Sequence, residues 1–187
     1  DLRNAGESEG IISTHANTEK DDIAAAIKYV KQQGSNHIVL LDFSTGATAS
    51  LMASAEDSPV AAVIADSPFF SFDQYIDNYL KNTKLPNFIF SKTIKKSTEI
   101  LGGFNGYDIS TEDFMNKLLP RNLLLIQSES DPFADAETTK KIYLDYSEVN
   151  SGTTVLWTPN SAEHASSYKE NPELYMKQID DFLSQIE

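Results

Sequence analysis

Residues 38–55 read IVLLDFSTGATASLMASA, and this stretch decides the fold. Its first four residues form an aliphatic run that is typical of a strand buried on both faces. Small residues dominate the second half, from 47 to 55, and favour a closely packed helix. Between them, Ser44 to Gly46 is short enough only for a sharp turn. The stretch therefore predicts a strand, a tight turn and a helix in direct succession.

The same alternation of strand and helix continues on both sides of this unit. A helix is predicted over Thr18–Gln33, with Thr18 as its cap and acidic residues in its first turn. Later helices are predicted at Ala136–Tyr146 and after Asn171, which caps a helix that Pro172 begins. Three further β-type runs lie between helical stretches, at Val60–Ala65, Leu123–Ile126 and Thr153–Trp157. This order predicts an α/β fold with a doubly wound, mainly parallel sheet.

One interval, residues 67–120, interrupts the alternation. It is too long for a simple crossover between two parallel strands, and it is rich in Phe and Tyr. We interpret it as a helical cap inserted into a single domain that spans residues 1–187. Its aromatic residues are more typical of a hydrophobic core than of a substrate pocket.

Composition excludes several classes of function. The chain has 187 residues, of which 40% are hydrophobic, so it is long and apolar enough to bury a substantial core. Its formal charge of -13 argues against binding to nucleic acid or to an anionic membrane surface. Without cysteine it has no thiolate nucleophile, and its three histidines show no metal-ligand spacing. We expect a cytoplasmic protein without metal or cofactor.

Reactive side chains follow each of the four predicted strands. Ser44, Asp66, Asp131 and His164 come after the first to fourth strand in turn. Because ligands bind beyond the carboxyl ends of parallel strands, these four residues are expected at one edge of the sheet. A neutral His164 placed there accepts the Ser44 proton, and a carboxylate on its other ring nitrogen fixes the tautomer. Asp131 and Asp66 are the two candidates for that carboxylate.

The turn at Ser44 also offers a backbone donor. The N–H of Thr45 would lie at the start of the following helix, where it donates to a developing oxyanion. The simpler interpretations are that Ser44 is a turn serine, that Asp131 and Asp66 cap turns, and that His164 is an exposed loop residue. The position of Ser44 after a strand and before a helix favours the catalytic interpretation.

These motifs resemble the α/β-hydrolase superfamily, and the resemblance covers essentially the whole chain. Asp42-Phe43-Ser44-Thr45-Gly46 is similar to the nucleophile elbow of that family, and Ser44, Asp131 and His164 follow its chain order of serine, acid and histidine. Three other segments also resemble parts of that family. Asp1–Ser8 is similar to the loop after its fourth strand, Asp66–Phe69 to the exit of its sixth strand, and Glu163–Tyr168 to its histidine loop. The resemblance is to bacterial serine hydrolases of the esterase and acyl-peptidase type.

The resemblance implies hydrolysis of a small acyl or peptide substrate through an acyl-enzyme on Ser44. The bond cleaved would be an ester, a thioester or an amide.

Two departures favour the rival hypothesis of a non-catalytic binding module. Asp42 stands where the family has glycine, and a carboxylate about 6 Å from the oxyanion costs roughly 3 kcal/mol at a dielectric near 20, or about a hundredfold in rate. The family's first strands would precede Asp1. Strand 38–41 is therefore expected to pair with such a segment or with a second copy of the chain.

Overall fold

A four-stranded parallel sheet forms the centre of the structure, a computed structural model that describes residues 1–55, 59–83, 87–160 and 163–186. Neighbouring strands in the sheet are also consecutive in the chain, in the order β1-β2-β3-β4. The strands are β1 (Ile38–Phe43), β2 (Val60–Asp66), β3 (Asn122–Ile126) and β4 (Thr154–Trp157). All three pairings are parallel.

Helices cover both faces of this sheet. They are α1 (Glu19–Gln32), α2 (Thr45–Ser54), α3 (Phe72–Asn82), α4 (Asn87–Gly102), α5 (Thr111–Leu118), α6 (Ala136–Val149), α7 (Ser167–Glu170) and α8 (Pro172–Leu183), with a 3-10 turn at Gly106–Asp108. Leu123 and Leu125 of β3 join the larger core with α2 and α6, whereas Leu124 and Ile126 pack with α8. Alternate residues of one strand thus enter two cores, which confirms the doubly wound arrangement.

The prediction that the first strand is buried on both faces is wrong. Val39, Leu41 and Phe43 are 41%, 40% and 39% exposed, while Ile38 on the opposite face is buried. In the described part of the sheet β1 is an edge strand, and on this face Phe43 stacks on Tyr175 of α8, with ring centroids 6.3 Å apart, while the face as a whole is only partly covered. Pairing of its free edge with a further strand stays a prediction.

The start of α1 also differs from the sequence prediction. Thr18 makes no capping hydrogen bond with its side chain, and Glu19, one of the acidic residues of the first turn, is only 1% exposed. Its carboxylate instead accepts hydrogen bonds from Ser13 Oγ (2.8 Å), Thr14 N (2.8 Å), Thr14 Oγ1 (2.7 Å) and Ala16 N (3.0 Å). One buried carboxylate therefore organises the loop that precedes α1.

Replacing Glu19 by glutamine is expected to lower the free energy of unfolding by about 2 kcal/mol at pH 7, because a single amide oxygen cannot accept all four bonds. Burial alone would raise the Glu19 pKa, but the Thr14 and Ser13 bonds outweigh it, so the pKa is lowered. The stabilisation is therefore present above the unfolded pKa and is lost as pH falls through the folded value. Urea unfolding of the wild type and Glu19→Gln at several pH values measures this difference in the free energy of unfolding.

The control for this experiment is the exposed Asp21 of the same helix. Asp21→Asn is expected to change the unfolding free energy by less than about 0.5 kcal/mol. A Glu19→Gln variant as stable as the wild type, or a difference that grows as the pH falls, would contradict the role given to the Glu19 carboxylate.

The interval 67–120 holds helices α3, α4 and α5 between β2 and β3, as expected for a helical insertion. Its residues 84–86 lie outside the described part of the chain, and its function as a cap stays a prediction. Helix α3 is hydrogen-bonded to the loop that follows β3. Asn78 Nδ2 donates to the carbonyl of Phe133 at 3.1 Å, and Asn82 Nδ2 donates to that of Pro132 at 2.6 Å. The insertion thus supports the loop that carries Asp131.

Candidate active site

The carboxyl ends of the strands lie in one row. Phe43 pairs with Asp66, Asp66 with Ile126, and Ile126 with Trp157. The hydrogen bonds continue one residue further, since Ser44 N donates to the Asp66 carbonyl at 2.8 Å. The loops that leave these strands therefore start at the same edge of the sheet, where the sequence predicted the site.

Ser44 occupies a strained turn between β1 and α2. Its φ and ψ are 51° and -120°, a left-handed backbone that a residue with a side chain rarely adopts. Ser44 N is held by Asp66, and the Ser44 carbonyl accepts from Thr48 N at 3.0 Å. Helix α2 packs closely here, because a Cβ built on Gly46 would lie 3.1 Å from Asp42 Oδ1. These contacts hold the Ser44 hydroxyl above the strand ends.

The structure brings Ser44, His164 and Asp131 together in one chain of hydrogen bonds. His164 Nε2 lies 2.7 Å from Ser44 Oγ, and His164 Nδ1 lies 2.7 Å from Asp131 Oδ2. Each ring nitrogen thus has one partner, as a general base and its orienting acid require. The Asp131 side chain is fully buried and that of His164 is 19% exposed, so the base stays accessible from one side.

Asp131 is held as a carboxylate by several donors. Its Oδ1 accepts from the backbone N–H groups of Phe133 (2.8 Å) and Ala134 (3.0 Å), and Gln127 Nε2 donates to Oδ2 at 3.2 Å. Burial acts to raise the Asp131 pKa, but His164 and the two backbone donors outweigh it, so the pKa is lowered. Asp131 is therefore charged near neutral pH and favours a proton on His164 Nδ1.

Asp66, the alternative acid, does not contact the His164 ring by any hydrogen bond found in the described residues. Its side chain is buried behind the turn, and Oδ1 accepts from Ser67 Oγ at 3.0 Å. Burial raises its pKa, and the Ser67 bond offsets this only in part. Of the two candidates, Asp131 is the one whose carboxylate contacts the His164 ring.

Asp42 faces helix α2, where its Oδ2 accepts a hydrogen bond from Ser50 Oγ. Burial raises the Asp42 pKa, and the Ser50 bond opposes this shift. The repulsion between Asp42 and an oxyanion, which the sequence predicts, stays a prediction.

The other site residues lie as follows. Thr45 is the first residue of α2, so its N–H has no acceptor within that helix and is available to an oxyanion. His15 packs between aromatic rings, 5.2 Å from Tyr75 and 5.8 Å from Phe72, and burial lowers its pKa. His37 is exposed before β1. Among the described residues, neither histidine is hydrogen-bonded to Ser44 or Asp131.

Sequence reasoning missed two residues at the site. Phe133 stands edge-on to the His164 ring, with centroids 5.3 Å apart and planes at 80°. Gln127, directly after β3, bonds the Asp131 carboxylate. Neither side chain is reactive, so a search for nucleophiles, acids and bases passes over both. Gln127 is the residue directly after β3, and Phe133 lies two residues after Asp131. These two positions were the available signal in the sequence.

The described residues contain no group of three or more His, Asp or Glu side chains placed to hold a metal ion. Within the same residues, no helix combines the length and the apolar character that crossing a bilayer requires.

Comparison with known proteins identifies the architecture. The esterase Pf2001 of Pyrococcus furiosus aligns with all of this chain at a TM-score of 0.78 and 24% identity, and 69% of the esterase is covered. The esterase EaEST of Exiguobacterium antarcticum aligns with 97% of the chain at a TM-score of 0.63 and 15% identity, over 79% of its own length. The chain has the α/β-hydrolase fold.

Two further comparisons extend this result. An acylaminoacyl peptidase of Pyrococcus horikoshii shares the α/β-hydrolase fold over 90% of this chain, at a TM-score of 0.63 and 14% identity, with 28% of the peptidase covered. The uncharacterized protein YqkD of Bacillus subtilis strain 168 is 29% identical over 192 residues. No family model matches the chain. The chain spans 61% of the length of YqkD. Any activity of a whole protein of that length is therefore a proposal.

Proposed function

We propose that the chain is a serine hydrolase that cleaves an ester, thioester or amide through an acyl-enzyme on Ser44. The observation that carries this proposal is the pair of 2.7 Å contacts that link Ser44, His164 and Asp131. The strained φ of Ser44 and the names of the structural neighbours, which include two esterases and an acylaminoacyl peptidase, support it.

The proposed mechanism begins with proton transfer from Ser44 Oγ to His164 Nε2 as the oxygen attacks the acyl carbon. Asp131 keeps the other proton on Nδ1 and stabilises the imidazolium. The N–H of Thr45 donates to the oxyanion of the tetrahedral intermediate. His164 then protonates the leaving alcohol, thiol or amine, and a water molecule activated by His164 releases the acid and restores Ser44.

The rival hypothesis is a non-catalytic binding module, which Asp42 favours and which the linked side chains of Ser44, His164 and Asp131 oppose. A binding site has no need for a nucleophile, a base and an acid joined in sequence, nor for the strain at Ser44.

The proposed activity is tested on chain 1–187 with p-nitrophenyl acetate and butyrate, an acyl thioester and an aminoacyl p-nitroanilide. We expect release of product from at least the activated esters, above the rate of a Ser44→Ala sample prepared in parallel. Equal rates in the two samples for all four substrates would refute the proposed function.

A further inference from the structure

The end of β2 contacts both the nucleophile and the histidine loop. The Asp66 carbonyl accepts the N–H of Ser44 at 2.8 Å. The next residue, Ser67, accepts the N–H of Ala165 on its side-chain oxygen at 3.2 Å. Since Ala165 directly follows His164, two consecutive residues of one strand end hold the chain on either side of the Ser44–His164 contact.

The backbone at both ends of the Ser67–Ala165 contact is left-handed. Ser67 has a φ of 53° and Ala165 a φ of 50°. Such values are costly for residues with a side chain and persist only where surrounding contacts enforce them. For Ala165, one such contact is its hydrogen bond to Ser67. For Ser67, the backbone N–H is fixed by the Ile126 carbonyl at 2.8 Å, which extends the sheet by one residue.

Asp66 determines how the Ser67 hydroxyl is oriented. The hydroxyl carries one hydrogen, which it donates to Asp66 Oδ1 at 3.0 Å, and its lone pairs are then free to accept from Ala165. Both side chains are buried, at 0% and 1% exposure, so water does not compete for the hydroxyl. Without an acceptor at position 66, the hydroxyl hydrogen would be free to rotate toward Ala165 N–H, where it repels.

We propose that Asp66 and Ser67 are positioning residues that fix His164 at proton-transfer distance from Ser44, with Asp66 orienting the Ser67 hydroxyl and Ser67 tethering the backbone at Ala165. This inference rests on the proposed function, because it assigns a role in the same proton transfer. A displacement of His164 by about 1 Å is enough to cost about a hundredfold in rate. Neither side chain touches the reacting atoms.

The test measures inactivation of chain 1–187 by a fluorophosphonate probe, resolved into the maximal rate (kinact) and the half-saturating probe concentration (KI). Ser67→Ala is expected to lower kinact ten- to a hundredfold and to leave KI within twofold. A purely structural role would lower the melting temperature without this selective loss of kinact. The matched control is Ser54→Ala, since Ser54 Oγ is buried with no hydrogen-bond partner among the described residues. Its kinact should equal that of the wild type.

Two variants at position 66 test the orientation step. Asp66→Asn keeps an oxygen acceptor and is expected to retain kinact within threefold. Asp66→Leu removes the acceptor and should reduce kinact as much as Ser67→Ala does. The double variant Asp66→Leu/Ser67→Ala should be no slower than either single variant, because both remove one and the same tether.

The outcomes separate this inference from the proposed function. If the wild type is labelled, Ser44→Ala is not, and Ser67→Ala keeps the full kinact, the positioning role of Ser67 is overturned while the proposed function stands. Additive losses in the double variant would overturn the link between Asp66 and Ser67. A folded wild type that does not react at all refutes the proposed function, and the positioning role falls with it.

Discussion

Replacing Ser44 by alanine is expected to reduce kcat for ester hydrolysis by at least about 10⁴-fold. The variant loses the only oxygen within reach of His164 Nε2 that the structure offers as a nucleophile among the described residues. Steady-state kinetics with the best p-nitrophenyl ester measure the loss. His164→Ala should lose a similar factor, and the double variant should lose no more, because nucleophile and base act as a unit.

The control for the Ser44 variant is Ser54→Ala, a buried serine at the other end of α2. It should retain kcat within about twofold. Retention of most activity by Ser44→Ala would show that hydrolysis takes place on another residue. An additive loss in the double variant would show that Ser44 and His164 do not work in the same step.

Asp131→Asn is expected to lower kcat by roughly 10⁴-fold while the fold is retained. The amide oxygen can still accept the Phe133 and Ala134 N–H groups, which bond Oδ1 in the wild type. The amide nitrogen then faces His164 Nδ1 and donates to it, which shifts the proton to Nε2. In that tautomer His164 cannot accept the Ser44 proton. The effect is measured as the loss of kcat, and circular dichroism verifies that the variant is folded.

Asp66→Asn provides the comparison, because Asp66 was the other candidate for the acid. Its kcat should stay within threefold of the wild type, because no hydrogen bond joins Asp66 to the His164 ring in the described residues and the asparagine oxygen can still accept from Ser67 Oγ. If Asp66→Asn lost as much activity as Asp131→Asn, the assignment of the orienting acid to Asp131 would be wrong.

Features that depend on local sequence were predicted well. The strand, turn and helix of residues 38–55 are present, and Asn171 caps α8 with its side chain on Leu174 N, as expected. Ser44, Asp131 and His164 were expected to lie together because each follows a strand, and the carboxyl ends of parallel strands meet at one edge. Topology alone thus placed Ser44, Asp131 and His164 close together.

Features that depend on neighbours distant in the chain were missed. The apolar run of β1 reads as buried on both faces, but burial needs a complete layer on each side, and Leu41 is 40% exposed. The sequence places Glu19 in the first turn of α1, and nothing in this local pattern indicates that its side chain is buried. Its burial depends on how the loop from Ser13 to Ala16 folds over it. Likewise, the contact of Ser67 with Ala165 spans 98 residues, and no local pattern reports it.

The most direct test of the central claim is mass spectrometry of chain 1–187 after reaction with a fluorophosphonate. We predict a single adduct that peptide mapping places on Ser44, and that is absent from both Ser44→Ala and His164→Ala. A well-folded chain that takes up no label, or a label that maps to a different serine and persists in the Ser44→Ala variant, would contradict the account.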